Sequence, residues 1–391
     1  MNILITIGCI IQILLIFQLV MPLFLIIIRN LRKKLVTTLG EQPLVADYAV
    51  IVTAYGQTEQ LGAVVDSLLN AKYDNYLIYI VADNCDVENL DFPSDRVIVL
   101  RPPEVLANNV KSHFYAINRF KRNHGRLTII DSDNLVHPDY FNALNVLFDK
   151  GYHAVQGVRK AKNLNTPFAC LDEAGDIFYR MIDRKLLYEA GSSAALSGSG
   201  MAFTTELYKQ CFEHVKLEGA GFDKVLQYQL LMRDQIIAFA ENAVVFDEKT
   251  AKTDQLVKQR SRWINTWFKY FSLGWKLLFM SLKTFNRNRF LFSLMLLRPP
   301  LFIQMGFAIL CLALNVFFNK EMAVVWVLSL SGFVSVVFYS LYYFNADQRI
   351  YRALISSPKF IGYQLLALVK AKKANKLSVA TEHYFDKDNQ Q

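Results

Sequence analysis

Three apolar runs free of charged residues, at positions 3–28, 301–318 and 323–344, set the outline of this chain. The first has about 26 residues, and at 1.5 Å per residue it is long enough to cross a hydrocarbon core of roughly 30 Å as a helix. The other two are parted only by the polar break at Asn319, Lys320 and Glu321, so they read as a transmembrane hairpin. These runs raise the hydrophobic content to 53% of 391 residues, above the usual apolar share. A secretory signal peptide is the rival reading of the first run. It would carry a basic leading segment, a shorter apolar stretch and a small-residue cleavage site, whereas only Met1 and Asn2 precede the apolar residues here.

Charge then orients the chain. Arg29, Arg32, Lys33 and Lys34 follow the first span, and Arg349, Arg352, Lys370, Lys372 and Lys373 follow the third. By the positive-inside rule both flanks are cytosolic, which puts the large middle region in the cytosol of an integral protein of the plasma or inner membrane. Residues 251–300 hold ten Lys or Arg against one Asp, and there Trp263, Trp267, Phe268, Trp275 and Phe292 interleave with Lys269, Lys276, Lys283 and Arg287. Such a mixture suits helices lying in the headgroup layer of the bilayer. Basic and aromatic residues together also suit nucleic acid, but with spans on both sides no nucleic-acid partner is expected. Cys9, Cys85, Cys170, Cys211 and Cys311 form no CxxC pair and the six histidines show no ligand spacing, which argues against a zinc site or disulfide framework.

Between the spans, short β-branched runs alternate with helical periodicity. Residues 49–53 read as a strand, followed by a helix through Leu61, Val64, Val65, Leu68 and Leu69. Further strands are expected at 77–82, 96–100 and 127–130, with a helix near 109–120. This rhythm predicts an α/β fold with a mainly parallel sheet covered by helices on both faces. Ligands of such sheets bind beyond the carboxyl ends of the strands. Asp83 and Asp131 both stand where an expected strand stops, although either alone also suits a turn or cap. The spacing Asp131-Ser132-Asp133 lets two carboxylates share one hard cation, Mg²⁺ or Mn²⁺, which would neutralise a diphosphate.

With these residues in view, the chain resembles the membrane-bound inverting glycosyltransferases of family 2. That group includes cellulose, chitin and hyaluronan synthases and ceramide glucosyltransferase, and has a GT-A fold with D, D, D and QxxRW motifs. Residues 51–55 resemble the family's first nucleotide-binding strand, 81–84 its second, Asp131-Ser132-Asp133 its metal motif, and Lys111 with Ala116, Ile117 and Asn118 the helix before it. The resemblance implies Thr53, Tyr55, Asp83, Lys111, Asp131, Asp133, Gln259 and Arg262 at a UDP-linked nucleotide-sugar donor, with Asp131 and Asp133 on the metal. It also implies that the small-residue loop at 196–203, through Gly198, Ser199 and Gly200, lines the acceptor site; an ordinary turn into a helix near Thr205 is the plainer alternative.

Asp223 begins an amphipathic stretch with Leu226 and Leu230, and in the family this aspartate is the general base that inverts the anomeric centre. Phe222 precedes it where many relatives carry Glu. A plain helix cap is the alternative for Asp223, and Glu218 and Asp234 are the other candidate bases. In Gln259-Arg260-Ser261-Arg262-Trp263, Arg262 suits a diphosphate and Trp263 can offer a ring to an acceptor sugar, unless the pair simply anchors a helix in lipid.

The expected divisions are a transmembrane helix over 1–30, a cytosolic GT-A domain over 45–250, and interfacial helices over 251–300. A transmembrane hairpin over 301–344 and a cytosolic interfacial tail over 345–391 complete the chain. The tail's Thr381-Glu382-His383 resembles a short motif of some relatives. A growing polysaccharide is the first expected acceptor, and a lipid (polyprenyl-phosphate-linked or ceramide-like) the second. Three helices can hardly enclose a sugar-wide pore, so polymer synthesis would call for a homo-oligomer or an export partner. A catalytically dead, nucleotide-binding membrane scaffold is the non-enzymatic alternative.

Overall fold

The computed structural model describes residues 3–32 and 46–371, apart from 89, 214, 216 and 218. Lys33, Lys34, Glu218 and the tail residues 372–391, with Lys372, Lys373 and Thr381-Glu382-His383, lie outside the described residues.

A single eight-stranded sheet organises the middle of the chain: β1 (Tyr48–Tyr55), β2 (Tyr76–Asp83), β3 (Val97–Leu100), β4 (Arg126–Asp131), β5 (Leu135–Val136), β6 (Ala154–Ala161), β7 (Met201–Thr204) and β8 (Ile237–Asp247). Their spatial order is β3-β2-β1-β4-β7-β6-β8-β5. Pairings β1–β2, β1–β4, β2–β3 and β6–β8 are parallel, whereas β7 runs antiparallel to both β4 and β6 and β5 antiparallel to β8. The sheet is therefore mixed and mostly parallel. β1 is buried along nearly its whole length, as a central strand covered on both faces must be, and its sequence is the unbroken apolar and β-branched run that such a position selects.

Helices Leu61–Leu69 and Tyr140–Phe148 cover one face, with Leu61, Val65, Phe141 and Leu144 packed against Val50 and Val52. The opposite face has a larger core in which Ala116, Tyr208 and Leu226 join Ile51 and Ile129. Leu19 and Leu25 of the helix Ile3–Leu31 and Trp326 and Phe333 of the helix Lys320–Tyr343 belong to that same core. The sheet domain and the apolar helices are thus packed as one body, a feature that reading the chain as successive segments does not foresee.

Among the described residues three helices are long and apolar enough to cross a membrane: Thr6–Leu31, Leu301–Phe318 and Lys320–Tyr343. Gln12 ties them together, its Oε1 accepting from Asn315 Nδ2 at 2.7 Å and from Trp326 Nε1 at 2.9 Å. In an apolar medium such interhelical hydrogen bonds satisfy groups that would otherwise be stranded. The helix Thr253–Thr284 is 32 residues long and leaves Phe268, Trp275 and Phe279 exposed. The helix Ser357–Lys370 lies along it, where Ser261 Oγ donates to Ala367 O at 3.0 Å.

Candidate active site

The carboxyl ends of β1, β2 and β4 lie side by side, because their register pairs Tyr55 with Asp83 and Thr53 with Asp131. All four residues line one cavity of about 1510 Å³, which also takes in Asp133, Gly198, Asp223, Gln259, Arg262 and Trp263. Ten positions expected at a donor, metal, base or acceptor therefore converge, although they are spread over more than 200 residues of sequence.

Asp83 is only 2% exposed, and both its oxygens accept backbone N–H groups, Oδ1 from Leu106 at 2.9 Å and Oδ2 from Ala107 at 2.7 Å. It fastens the loop before the helix Asn109–Ile117 while forming part of the cavity wall, so the turn-former reading and the site reading describe the same residue. Ala107 has a left-handed φ of +44°, a conformation that the Asp83 contact helps to hold.

The Asp131-Ser132-Asp133 turn is fixed through its main chain. Asp131 N–H donates to Ser199 Oγ at 3.0 Å, Asn134 Nδ2 donates to the same oxygen at 2.9 Å, and Lys162 Nζ donates to Asp133 O at 2.8 Å. Burial lowers the Lys162 pKa against the pull of Asp133 and Glu248. No group of three or more His, Cys, Asp or Glu suited to a metal exists among the described residues. Two carboxylates on a rigid turn suit a divalent cation that takes its remaining oxygens from a diphosphate and water, the usual arrangement for Mg²⁺.

Three expected site residues sit differently. Lys111 is exposed and outside the cavity; it contributes its backbone N–H to the Asn108 cap at 3.1 Å. Ser199 is fully buried, and its hydroxyl serves the Asp131 turn rather than the cavity. Gly200 is also off the cavity lining, with a left-handed φ of +64°, and a Cβ there would come within 3.0 Å of Val245. Met201 to Thr204 is strand β7 in the middle of the sheet, so only the start of the 196–203 segment faces the cavity. Among the alternative bases, Asp234 lies away from the cavity and pairs with Arg289 at 2.9 Å.

Asp223 occupies the first turn of the helix Phe222–Met232, where the helix dipole favours a carboxylate, and Lys224 Nζ lies 3.7 Å from its Oδ2. The turn that presents it depends on Gly221, whose φ is +100° and whose missing Cβ would lie 2.5 Å from the Tyr270 ring and 2.8 Å from Thr266. Both neighbours belong to the helix Thr253–Thr284, so the helix that carries Arg262 also sets the position of Asp223.

On that helix, Arg262 and Gln259 line the cavity, with Gln259 Oε1 accepting from Thr250 Oγ1 at 3.1 Å. Desolvation pulls the Arg262 guanidinium below its ordinary pKa. Arg260 pairs with Asp172, and its guanidinium lies over the Trp263 ring at 4.2 Å. One face of Trp263 is thereby taken by Arg260, while 39% of the residue stays exposed.

Sequence reasoning missed the floor of the cavity. Arg159 pairs with Asp247, and Lys249 with Asp247 at 3.0 Å, with Glu173 at 3.1 Å and with Asp176. Arg180 pairs with Glu173 at 3.0 Å, and Arg298 grips Asp183 at 2.8 and 2.7 Å. Burial opposes ionisation of Asp247, yet Arg159 and Lys249 more than offset it and leave its pKa below the ordinary range. The available signal was the adjacent pair Asp172-Glu173 followed at three and then seven residues by Asp176 and Asp183 in an apolar helical stretch.

A mostly parallel α/β sheet whose strand ends bring acidic residues into one deep cavity defines the GT-A architecture of nucleotide-sugar-dependent transferases. The chain belongs to the glycosyltransferase-like family 2, whose family model matches residues 46–266, more than half of its length. It is a glycosyltransferase, and its donor is a nucleotide sugar. Among solved structures it is similar to a mannosyltransferase, PcManGT, from Pyrobaculum calidifontis in complex with GDP-Man and Mn²⁺. That match has 13% identity and a TM-score of 0.56, and covers 93% of this chain and 99% of the other. TarS 1–349 of S. aureus is 12% identical over 84% of this chain and 91% of its own, with a TM-score of 0.42. No curated protein sequence matches at a significant level.

Proposed function

We propose that this protein is a membrane-bound inverting glycosyltransferase that moves one sugar from a nucleoside-diphosphate donor to a lipid-linked acceptor at the cytosolic face. The observation that carries the choice of acceptor is the reach of the cavity: it continues from Asp131 and Asp223 to Phe302, Met305, Phe333, Val337 and Phe338 on the two helices of the apolar hairpin. An apolar arm of this kind suits a hydrocarbon chain far better than a hydrated glucan. The polymer reading expected first from the motifs remains the second reading, with the QxxRW residues in the same cavity as its support.

In the proposed reaction an acceptor hydroxyl oxygen forms the bond to the anomeric carbon while the bond from that carbon to the diphosphate oxygen breaks. The hydroxyl proton passes to Asp223, and the electron pair leaves with the nucleoside diphosphate, so attack from the opposite face inverts the centre. Arg262 receives the departing phosphate charge through bidentate hydrogen bonds. Asp131 and Asp133 would hold Mg²⁺ or Mn²⁺, which when bound offsets diphosphate charge. Thr53, Tyr55 and Asp83 border the nucleotide.

The resemblance favours a UDP-sugar, and the mannosyltransferase of similar fold is described with GDP-Man and Mn²⁺, so both donor classes belong in the test. Full-length protein in lipid vesicles, given labelled UDP- and GDP-sugars with Mg²⁺ or Mn²⁺, is expected to place label in a single-sugar product that extracts into organic solvent. Label appearing only in a long water-soluble polymer would overturn the lipid reading.

A further inference from the structure

The segment Arg180–Leu186 is a π-helical turn, a rare geometry that recurs at functional sites, and it turns Asp183 and Arg184 into the cavity. Around it, four carboxylates (Glu173, Asp176, Asp183 and Asp247) meet five cations (Arg159, Arg180, Arg184, Lys249 and Arg298). The carboxylates that act on Arg184 are Asp176 and Asp183, and each is held by another cation, Lys249 and Arg298 respectively. Arg184 makes no ion pair within 4.0 Å among the described residues; its side chain donates from Nε to Ala195 O at 3.3 Å. Arg159 and Arg180 face it as like charges, and desolvation draws its pKa down. Asp131 is the next carboxylate of the region; it acts on Arg159, from the turn assigned above to the metal and diphosphate.

A partly buried guanidinium that makes no ion pair of its own is costly unless an anion completes it. Ala195 leads into Leu196, Ser197 and Gly198, which border the same cavity as its apolar arm. We propose that Arg184 binds the phosphate or diphosphate joining a lipid to its sugar, so that the acceptor is a phosphate-linked glycolipid rather than a neutral lipid alcohol. This rests on the lipid-acceptor reading and narrows it. The lipid chain lies along the hairpin, the phosphate meets Arg184, and the sugar hydroxyl is left to face Asp223. Such an acceptor keeps a need for a general base, which a phosphate nucleophile would not.

The test measures equilibrium binding to the full-length protein in nanodiscs with four probes: a polyprenyl-diphosphate-linked monosaccharide, the same sugar on an uncharged polyprenol, inorganic pyrophosphate, and UDP or GDP with Mn²⁺. Wild type is expected to prefer the phosphate-bearing lipid over the neutral one by roughly 10- to 100-fold, the range for a charge-assisted hydrogen-bonded pair. Pyrophosphate, lacking the chain, should bind far more weakly than the phosphate-bearing lipid. Arg184→Gln should erase the lipid preference and leave nucleotide and neutral-lipid binding unchanged, and Arg184→Lys should retain part of it. Equal affinity of wild type for the two lipids would overturn the phosphate site while leaving the lipid reading standing; binding of neither lipid would overturn both. Loss of nucleotide affinity in a folded Arg184→Gln protein would also overturn it, by assigning Arg184 to the donor. If that variant does not fold, the wild-type ratio and Arg184→Lys decide.

Discussion

Replacing Asp223 by asparagine is expected to lower sugar transfer by roughly 10²- to 10⁴-fold, the usual contribution of a positioned general base, while nucleotide binding stays unchanged. The substitution keeps the shape and the helix-start position of the side chain and removes only its ability to take a proton. Asp223 comes late in the sequence relative to the nucleotide strands, and its turn is held by Gly221 against Tyr270 and Thr266 of the helix Thr253–Thr284. Donor affinity and proton transfer are therefore separable. Transfer by purified Asp223→Asn protein, measured beside its nucleotide affinity, checks this; wild-type turnover would remove Asp223 from the mechanism.

Asp133→Ala is the second large effect. Its carboxylate belongs to a turn pinned by Ser199 at one end and Lys162 at the other, so truncation removes a charged ligand without releasing the main chain. Metal-dependent binding of the nucleoside diphosphate should weaken by roughly 100-fold or more, the equivalent of about 3 kcal/mol. Titration of UDP and GDP with and without Mn²⁺ reads it directly. An unchanged metal dependence would move the cation elsewhere.

Much of this architecture was legible because each signal was local. β1, β2 and β4 announced themselves as continuous apolar runs ending in polar residues, and the membrane-length helices by length and lack of charge. The expected hairpin run 301–318 coincides with the helix Leu301–Phe318. Strand β7 was hidden because Met201 to Thr204 is too short to show a pattern beside the glycine loop. Lys111 and Ser199 were misplaced because one sequence cannot say toward which side a helix or loop side chain turns.

The ionic floor of the cavity was hidden for a different reason. Asp172 meets Arg260 across 88 residues, and Asp183 meets Arg298 across 115, so each charge read alone looks like a solvated one. What makes them structural is a partner brought near by the fold. The same long-range folding creates the continuity between the sheet edge and the apolar hairpin, and with it the argument for a lipid acceptor.

On the proposed reading, one diphosphate pocket is shared by the strand-end carboxylates and the guanidinium of Arg262 on the helix Thr253–Thr284. An experimental structure of the protein with UDP or GDP and Mn²⁺ tests it most directly. The metal is expected at Asp131 and Asp133, with phosphate oxygens reaching Arg262 and the open side of the diphosphate turned toward Asp223. A nucleotide bound with its phosphates away from both Asp133 and Arg262 would contradict it.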